Sequence, residues 1–213
     1  MTNTLFFEYG DQEIAHLKSR DPALGAAIDE IGFVRREINP DLFSALIHAI
    51  AGQQISSKAQ ATIWARVAAK FAPLTAETIY AASESELREC ALSARKVDYI
   101  KGVARAVTSG DLNLTALALM SDDEVSAALT RLKGIGKWTA EMLMIFSMRR
   151  GDILSEDDLA IRRGMSVLYG YREITPQIFA RHRRDYSPFC TTASLYLWAI
   201  AGKARTKEIR KKG

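Results

Sequence analysis

Two glycines, a lysine and an aspartate carry the chemistry open to this chain. They lie in the run Leu132 to Asp158, LKGIGKWTAEMLMIFSMRRGDILSEDD, where Gly134 and Gly136 bracket Ile135 between two helix-like segments. A turn of that kind needs backbone angles that glycine adopts at little cost. The peptide N–H groups of Gly136 and Lys137, with Thr139 in the same first turn, then open a helix. Such an end presents unpaired donors and a positive dipole to a phosphate oxygen. Lys137 adds a charge at that spot and Ile135 can tuck inward, so the motif suits gripping a phosphodiester backbone rather than reading bases. A tight interhelical turn with no ligand fits GIG as well.

The chemical group follows. Lys137 to Met148 is almost wholly apolar, which predicts a buried helix about 18 Å long. Gly151 reads as its stop, and the seven residues Arg149 to Ser155 can span about 23 Å, enough to bring Asp158 back toward Trp138. Ser155 with Asp158 three positions on resembles a capping arrangement for a helix beginning at about Glu156. A solitary carboxylate there can stabilise a developing positive charge and orient or deprotonate water. Alternatively, Glu156, Asp157 and Asp158 merely complement the helix dipole.

Taken together, these segments resemble the helix-hairpin-helix (HhH-GPD) DNA glycosylase superfamily, and within it the alkylation-repair branch of 3-methyladenine DNA glycosylase II. LKGIGKWTAEML falls on the family hairpin and SEDDLAI on its loop-and-aspartate segment, which places the family's essential acid on Asp158. IAGQQISSKAQATI, Ile50 to Ile63, is similar to the segment that inserts a side chain into the duplex, with Gln54 at the inserting position. LRECALSARKVDYIKGVA, Leu87 to Ala104, is similar to the segment between the two. The resemblance implies an all-α fold of two lobes with the active site in the cleft between them. Lobe A comprises about residues 1–40 plus 150–213, and lobe B about 41–149 with the hairpin at 132–139. It also permits a potassium or sodium ion on the hairpin carbonyls.

Some positions depart from the family pattern. Strand-cutting members carry a lysine nucleophile where this chain has Trp138, and Lys137 is one residue off, so the expected enzyme is a glycosylase without lyase chemistry. Relatives with an iron–sulfur cluster use four cysteines, whereas this chain has only Cys90 and Cys190, so no cluster can form on its own ligands. In SPFCTTASLYLW the family often shows an aromatic and then an arginine where Phe189 and Cys190 stand.

The implied reaction is hydrolysis of the N-glycosidic bond of an alkylated purine flipped out of double-stranded DNA. Flipping is cheapest for damaged bases, and Gln54 would fill the gap. Trp138, Phe189 and Tyr186 are the candidate pocket aromatics, since aromatic faces attract a cationic base. Each has a bland alternative: core packing for the aromatics, and a polar cap on the Phe43–Ala51 helix for Gln54. Two other functions stay open, a glycosylase for oxidised or deaminated bases and a binding protein with no use for Asp158.

Composition is compatible with these readings. At 213 residues, 48% apolar and 25% charged, the chain can bury a sizeable core. A formal charge of +4 and a pI near 9.1 suit a polyanionic partner. Arg181, Arg183 and Arg184, and the tail residues Lys203, Arg205, Lys207, Arg210, Lys211 and Lys212, can touch phosphates or simply be solvated. With no membrane-length apolar run, signal core or zinc spacing, an intracellular monomer needing no cofactor is expected; His16, His48 and His182 read as structural or surface groups.

Helical periodicity or capping predicts helices from about Asp21, over Phe43–Ile50, Lys58–Phe71, Ser83–Cys90, Lys96–Thr108, Ser121–Leu132, Thr175–Arg184 and Thr192–Gly202. Arg35–Ile38 reads as a short extended piece.

Overall fold

A computed structural model describes residues 4–212, with side chains described for 4–204. The side chains of Arg205, Lys207, Arg210, Lys211 and Lys212 therefore lie outside the described residues. Twelve α-helices and one two-stranded sheet occur among the described residues. The chain divides into two compact units, Met1–Ile38 with Arg149–Gly213, and Asn39–Met148.

The first unit holds β1 (Leu5–Phe6), α1 (Asp11–Arg20), α2 (Pro22–Ile31), β2 (Glu37–Ile38), α10 (Leu159–Tyr169), α11 (Pro176–Tyr186) and α12 (Cys190–Lys212). The strands are antiparallel, with Leu5 opposite Ile38 and Phe6 opposite Glu37. Leu17, Leu24, Met165, Phe179, Tyr196 and Leu197 fill the core. Burying a side chain of this size stabilises by about 1.5 to 3 kcal/mol. α10 and α12 approach so closely that a Cβ on Gly164 would lie 2.3 Å from the Leu197 carbonyl oxygen. Only hydrogen fits there, so position 164 fixes the bed on which α10 rests.

A buried polar cluster joins four helices of this unit. Asp21 caps α2 by accepting from Leu24 N at 2.9 Å, and its other oxygen accepts from Tyr169 Oη at 2.6 Å and lies 3.5 Å from His182 Nδ1. Burial raises the Asp21 pKa, but hydrogen bonds from His182, Leu24 N and Tyr169 outweigh it and lower the carboxyl to about 2.

The second unit holds α3 (Leu42–Gly52), α4 (Ser57–Lys70), α5 (Ala76–Ala81), α6 (Glu84–Glu89), α7 (Ala94–Ser109), a 3₁₀ turn (Ala116–Leu119), α8 (Asp122–Thr130) and α9 (Lys137–Phe146). Asp41, Ser56, Thr75, Ser83, Ser93 and Ser121 cap six of these helices through their side chains. Each cap satisfies an N–H that the helix cannot satisfy itself, worth about 1 kcal/mol. Leu46, Ile47, Ile79, Ile100, Val125 and Leu129 are fully buried at its centre.

Periodicity misplaces or misses several elements. α9 ends at Phe146 rather than Met148, and the chain turns at Arg149, whose φ is 57°, rather than at Gly151. α1, α5 and the 3₁₀ turn have no counterpart in the periodicity reading. α1 buries one residue, Leu17, and α5 is a six-residue helix, too little of a stripe to read.

Candidate functional site

In the second unit the hairpin forms between α8 and α9. Gly134 has φ of +87°, and a Cβ there would lie 2.2 Å from Tyr99 Cδ2, so glycine is required both by the backbone and by the neighbouring ring. Ile135, 4% exposed, is the inward anchor. Gly136 is the N-cap of α9 and brings no side-chain cap to the first turn's amides. This arrangement is what an anion at a helix start needs. Lys137 is exposed beside that turn, its Nζ 4.0 Å from Glu141 Oε1. Thr139, expected in the phosphate-binding set, lies in the same first turn of α9 and is 8% exposed. Trp138, at the start of α9, is 46% exposed, one of the exposed large hydrophobic residues.

Gln54 stands in the turn from α3 to α4. Its φ is 56°, a left-handed conformation that costs a residue with a Cβ about 1 to 2 kcal/mol. Gln54 is exposed, and Ile55 beside it is a 37%-exposed hydrophobic. The polar-cap alternative for Gln54 falls to its neighbour, since Gln53 is the C-cap and donates its N–H to Ile50 O at 3.3 Å.

The first unit presents Asp158. The helix starts at Leu159 and not at Glu156, and Asp158 itself is the N-cap; Ser155 is fully buried upstream. Of the three acids, Asp157 is exposed, Glu156 half-buried and Asp158 6% exposed. Asp158 Oδ1 accepts from Ala160 N at 2.9 Å, Ile161 N at 2.8 Å and Trp198 Nε1 at 3.1 Å. Two backbone donors and a rigid indole thus fix the plane of the carboxylate, and the N-terminal dipole of α10 favours its negative charge.

The loop ahead of Asp158 is laced to one face of α12. Thr191 Oγ1 donates to Arg150 O at 2.6 Å and accepts from Ile153 N at 3.1 Å, and Ser194 Oγ donates to Ile153 O at 3.1 Å. With Trp198 these residues sit at i, i+3 and i+7, the helical spacing that keeps side chains on one face. Sequence reasoning missed Trp198 as a partner of Asp158. The available signal was the need of a half-buried indole N–H for an acceptor.

The other expected pocket aromatics divide. Tyr186 is corrected: it is fully buried, with its hydroxyl bonded to Tyr169 Oη and 3.3 Å from His182 Nδ1, so it has no face to offer a base. Phe189 is half-buried and packs edge-on to His16, centroids 5.1 Å apart. Cys190 is fully buried at the start of α12, and burial pushes its thiol well above the usual range. Its Sγ donates to Arg183 O and receives Arg183 Nη1 at 3.6 Å, so an α11 arginine reaches the position where the family often carries its own. No cluster of three or more potential metal ligands of the His, Cys, Asp and Glu type occurs among the described residues, and no described helix is long and apolar enough to cross a membrane.

Comparison with known proteins gives the family. The chain is 38% identical over 176 residues to DNA-3-methyladenine glycosylase 1 of Schizosaccharomyces pombe, covering 80% of this chain and 77% of that protein. The crystal structure of a DNA-3-methyladenine glycosidase from Bacillus halodurans superposes with a TM-score of 0.85 at 35% identity, over 95% of this chain and 94% of that one. The S. pombe enzyme Mag1 in complex with abasic DNA superposes with a TM-score of 0.76 at 33% identity, over 88% and 95% of the two chains. The profile of the HhH-GPD superfamily base excision DNA repair proteins matches residues 47–188. The chain belongs to this superfamily.

Proposed function

We propose that this protein hydrolyses the N-glycosidic bond of alkylated purines of the 3-methyladenine type in double-stranded DNA, leaving an abasic site. The observation that carries the reading is the buried Asp158 carboxylate, held by three donors on one oxygen at the start of α10. As the C1′–N bond breaks, the cationic base takes the bonding electron pair and leaves neutral, and positive charge develops on the sugar. A fixed carboxylate stabilises that charge without reorganising and can take the proton of the water that attacks C1′.

The other residues have matching tasks. The amides of Gly136 and Lys137 and the Lys137 charge grip a phosphate. Gln54, already held out in a left-handed turn, fills the gap left by the flipped nucleotide, a step costing a few kcal/mol. Trp138, 46% exposed, offers its ring to the cationic base, worth about 0.5 to 2 kcal/mol, with Phe189 a second candidate. Lys137 is rotated about 100° around α9 from Trp138, away from the position that a lyase lysine takes, so strand cleavage does not follow excision.

On the same reading, a hard monovalent cation would sit on the hairpin carbonyls. Leu132 O and Gly134 O each accept one hydrogen bond and retain a second lone pair. Bound there, a cation would add positive charge near the phosphate. One lesion needs one active site, so a monomer suffices, working inside the cell on its DNA. The test is incubation with methylated duplex DNA. Free methylated purines, with strand breaks only after alkali, are the expected result; no base release, or breaks without alkali, overturns the proposal.

A further inference from the structure

The turn carrying Gln54 is tied to the hairpin by the side chain that precedes it, to which the motif itself assigns no role. Gln53 Nε2 donates to Gly134 O at 2.6 Å, across 81 residues of sequence. That carbonyl belongs to the glycine whose φ of +87° makes the hairpin turn. A second tether reaches the same helix end: Lys96 Nζ, on α7, donates to Ala51 O at 2.8 Å. On the other flank Gln60 lies over Gly52, where a Cβ would meet its Nε2 at 2.2 Å, and Gln60 Nε2 also donates to His48 O at 3.3 Å. Ser56 closes the turn by capping α4. A left-handed glutamine persists only where its surroundings over-determine it, and these contacts do so from both sides.

From this geometry we infer that Gln53 is a positioning residue for base flipping, locking the inserting Gln54 to the phosphate-gripping hairpin so that grip and insertion occur as one motion. The inference rests on the proposed insertion role of Gln54. Gln53 adds no contact of its own to DNA; it acts through the orientation of its neighbour. Without the Gln53 amide the hairpin still holds phosphate, but Gln54 loses its fixed register over the site being opened.

Binding separates these roles without requiring chemistry. Affinities for an undamaged duplex and for one holding a tetrahydrofuran abasic analogue are measured for wild type, Gln53→Ala, Gln54→Ala and the double variant. Gln53→Asn, which keeps the amide but falls short of Gly134 O, serves if Gln53→Ala unfolds. Gln53→Ala should lower the preference for the abasic duplex about 10-fold while leaving undamaged-duplex affinity within about 3-fold. The double variant should be no worse than Gln54→Ala alone. Unchanged preference in Gln53→Ala, or fully additive losses, overturns the inference. A wild type that prefers the abasic duplex yet releases no methylated base refutes the proposed chemistry while leaving this coupling intact.

Discussion

Gly134→Ala is the substitution whose effect the structure sets most tightly. A non-glycine residue at φ of +87° incurs about 1 to 2 kcal/mol from its backbone alone. The new Cβ would also fall 2.2 Å from Tyr99 Cδ2 and 2.7 Å from Cε2, so the ring or the turn must move. Overpacking of that kind costs about 1 to 3 kcal/mol, giving a total of about 2 to 5 kcal/mol. Tyr99 is half-buried and its hydroxyl accepts from Arg95 Nε at 2.5 Å, so swinging the ring away also disturbs that bond. Urea unfolding of Gly134→Ala, Tyr99→Ala and the double variant separates the parts. On the Tyr99→Ala background the cost should shrink to the backbone share, a coupling of about 1 to 3 kcal/mol. Affinity for undamaged duplex should fall with the hairpin. A Gly134→Ala cost below about 1 kcal/mol, or one undiminished by Tyr99→Ala, refutes the reasoning.

Two further predictions concern the first unit. Trp198→Phe removes the indole N–H from Asp158 Oδ1 and keeps an aromatic ring; kcat should fall about 10-fold with KM unchanged, and a rise in KM alone contradicts the positioning role. Asp21 has its folded pKa depressed to about 2, so its stabilisation is present above the unfolded value of about 3.9 and is lost as pH falls through about 2. That amounts to about 2 to 3 kcal/mol, and unfolding from pH 7 to 2 should show it in wild type and not in Asp21→Asn.

The site was legible in sequence where chemistry is local. GIGK marks a turn and a helix start by residue type alone, and an acid near the next helix start narrows the choice of carboxylate. What the local pattern could not resolve was which of three acids is buried. Ser155 offered a plausible cap, yet Asp158 takes that position because the helix begins three residues later than the spacing suggested. Tyr186 was misread because a ring at the end of a helix shows nothing of the His182 and Tyr169 network that holds it inside. The Gln53 to Gly134 and Trp198 to Asp158 bonds span 81 and 40 residues, and no periodicity reports contacts between side chains so distant. The helical architecture followed readily from capping serines and apolar stripes; the short or mostly exposed helices α1 and α5 carried too little of either.

The most direct measurement is the single-turnover rate of base release from methylated duplex DNA by Asp158→Asn. Asparagine is as good an N-cap as aspartate, and its side-chain oxygen can still accept from Ala160 N, Ile161 N and Trp198 Nε1. The substitution therefore removes the charge while leaving the structure that presents it. Release should slow by at least about 100-fold, with the melting temperature and duplex affinity close to wild type. Excision within about 3-fold of wild type by a folded Asp158→Asn would contradict the assignment of the reaction to this carboxylate.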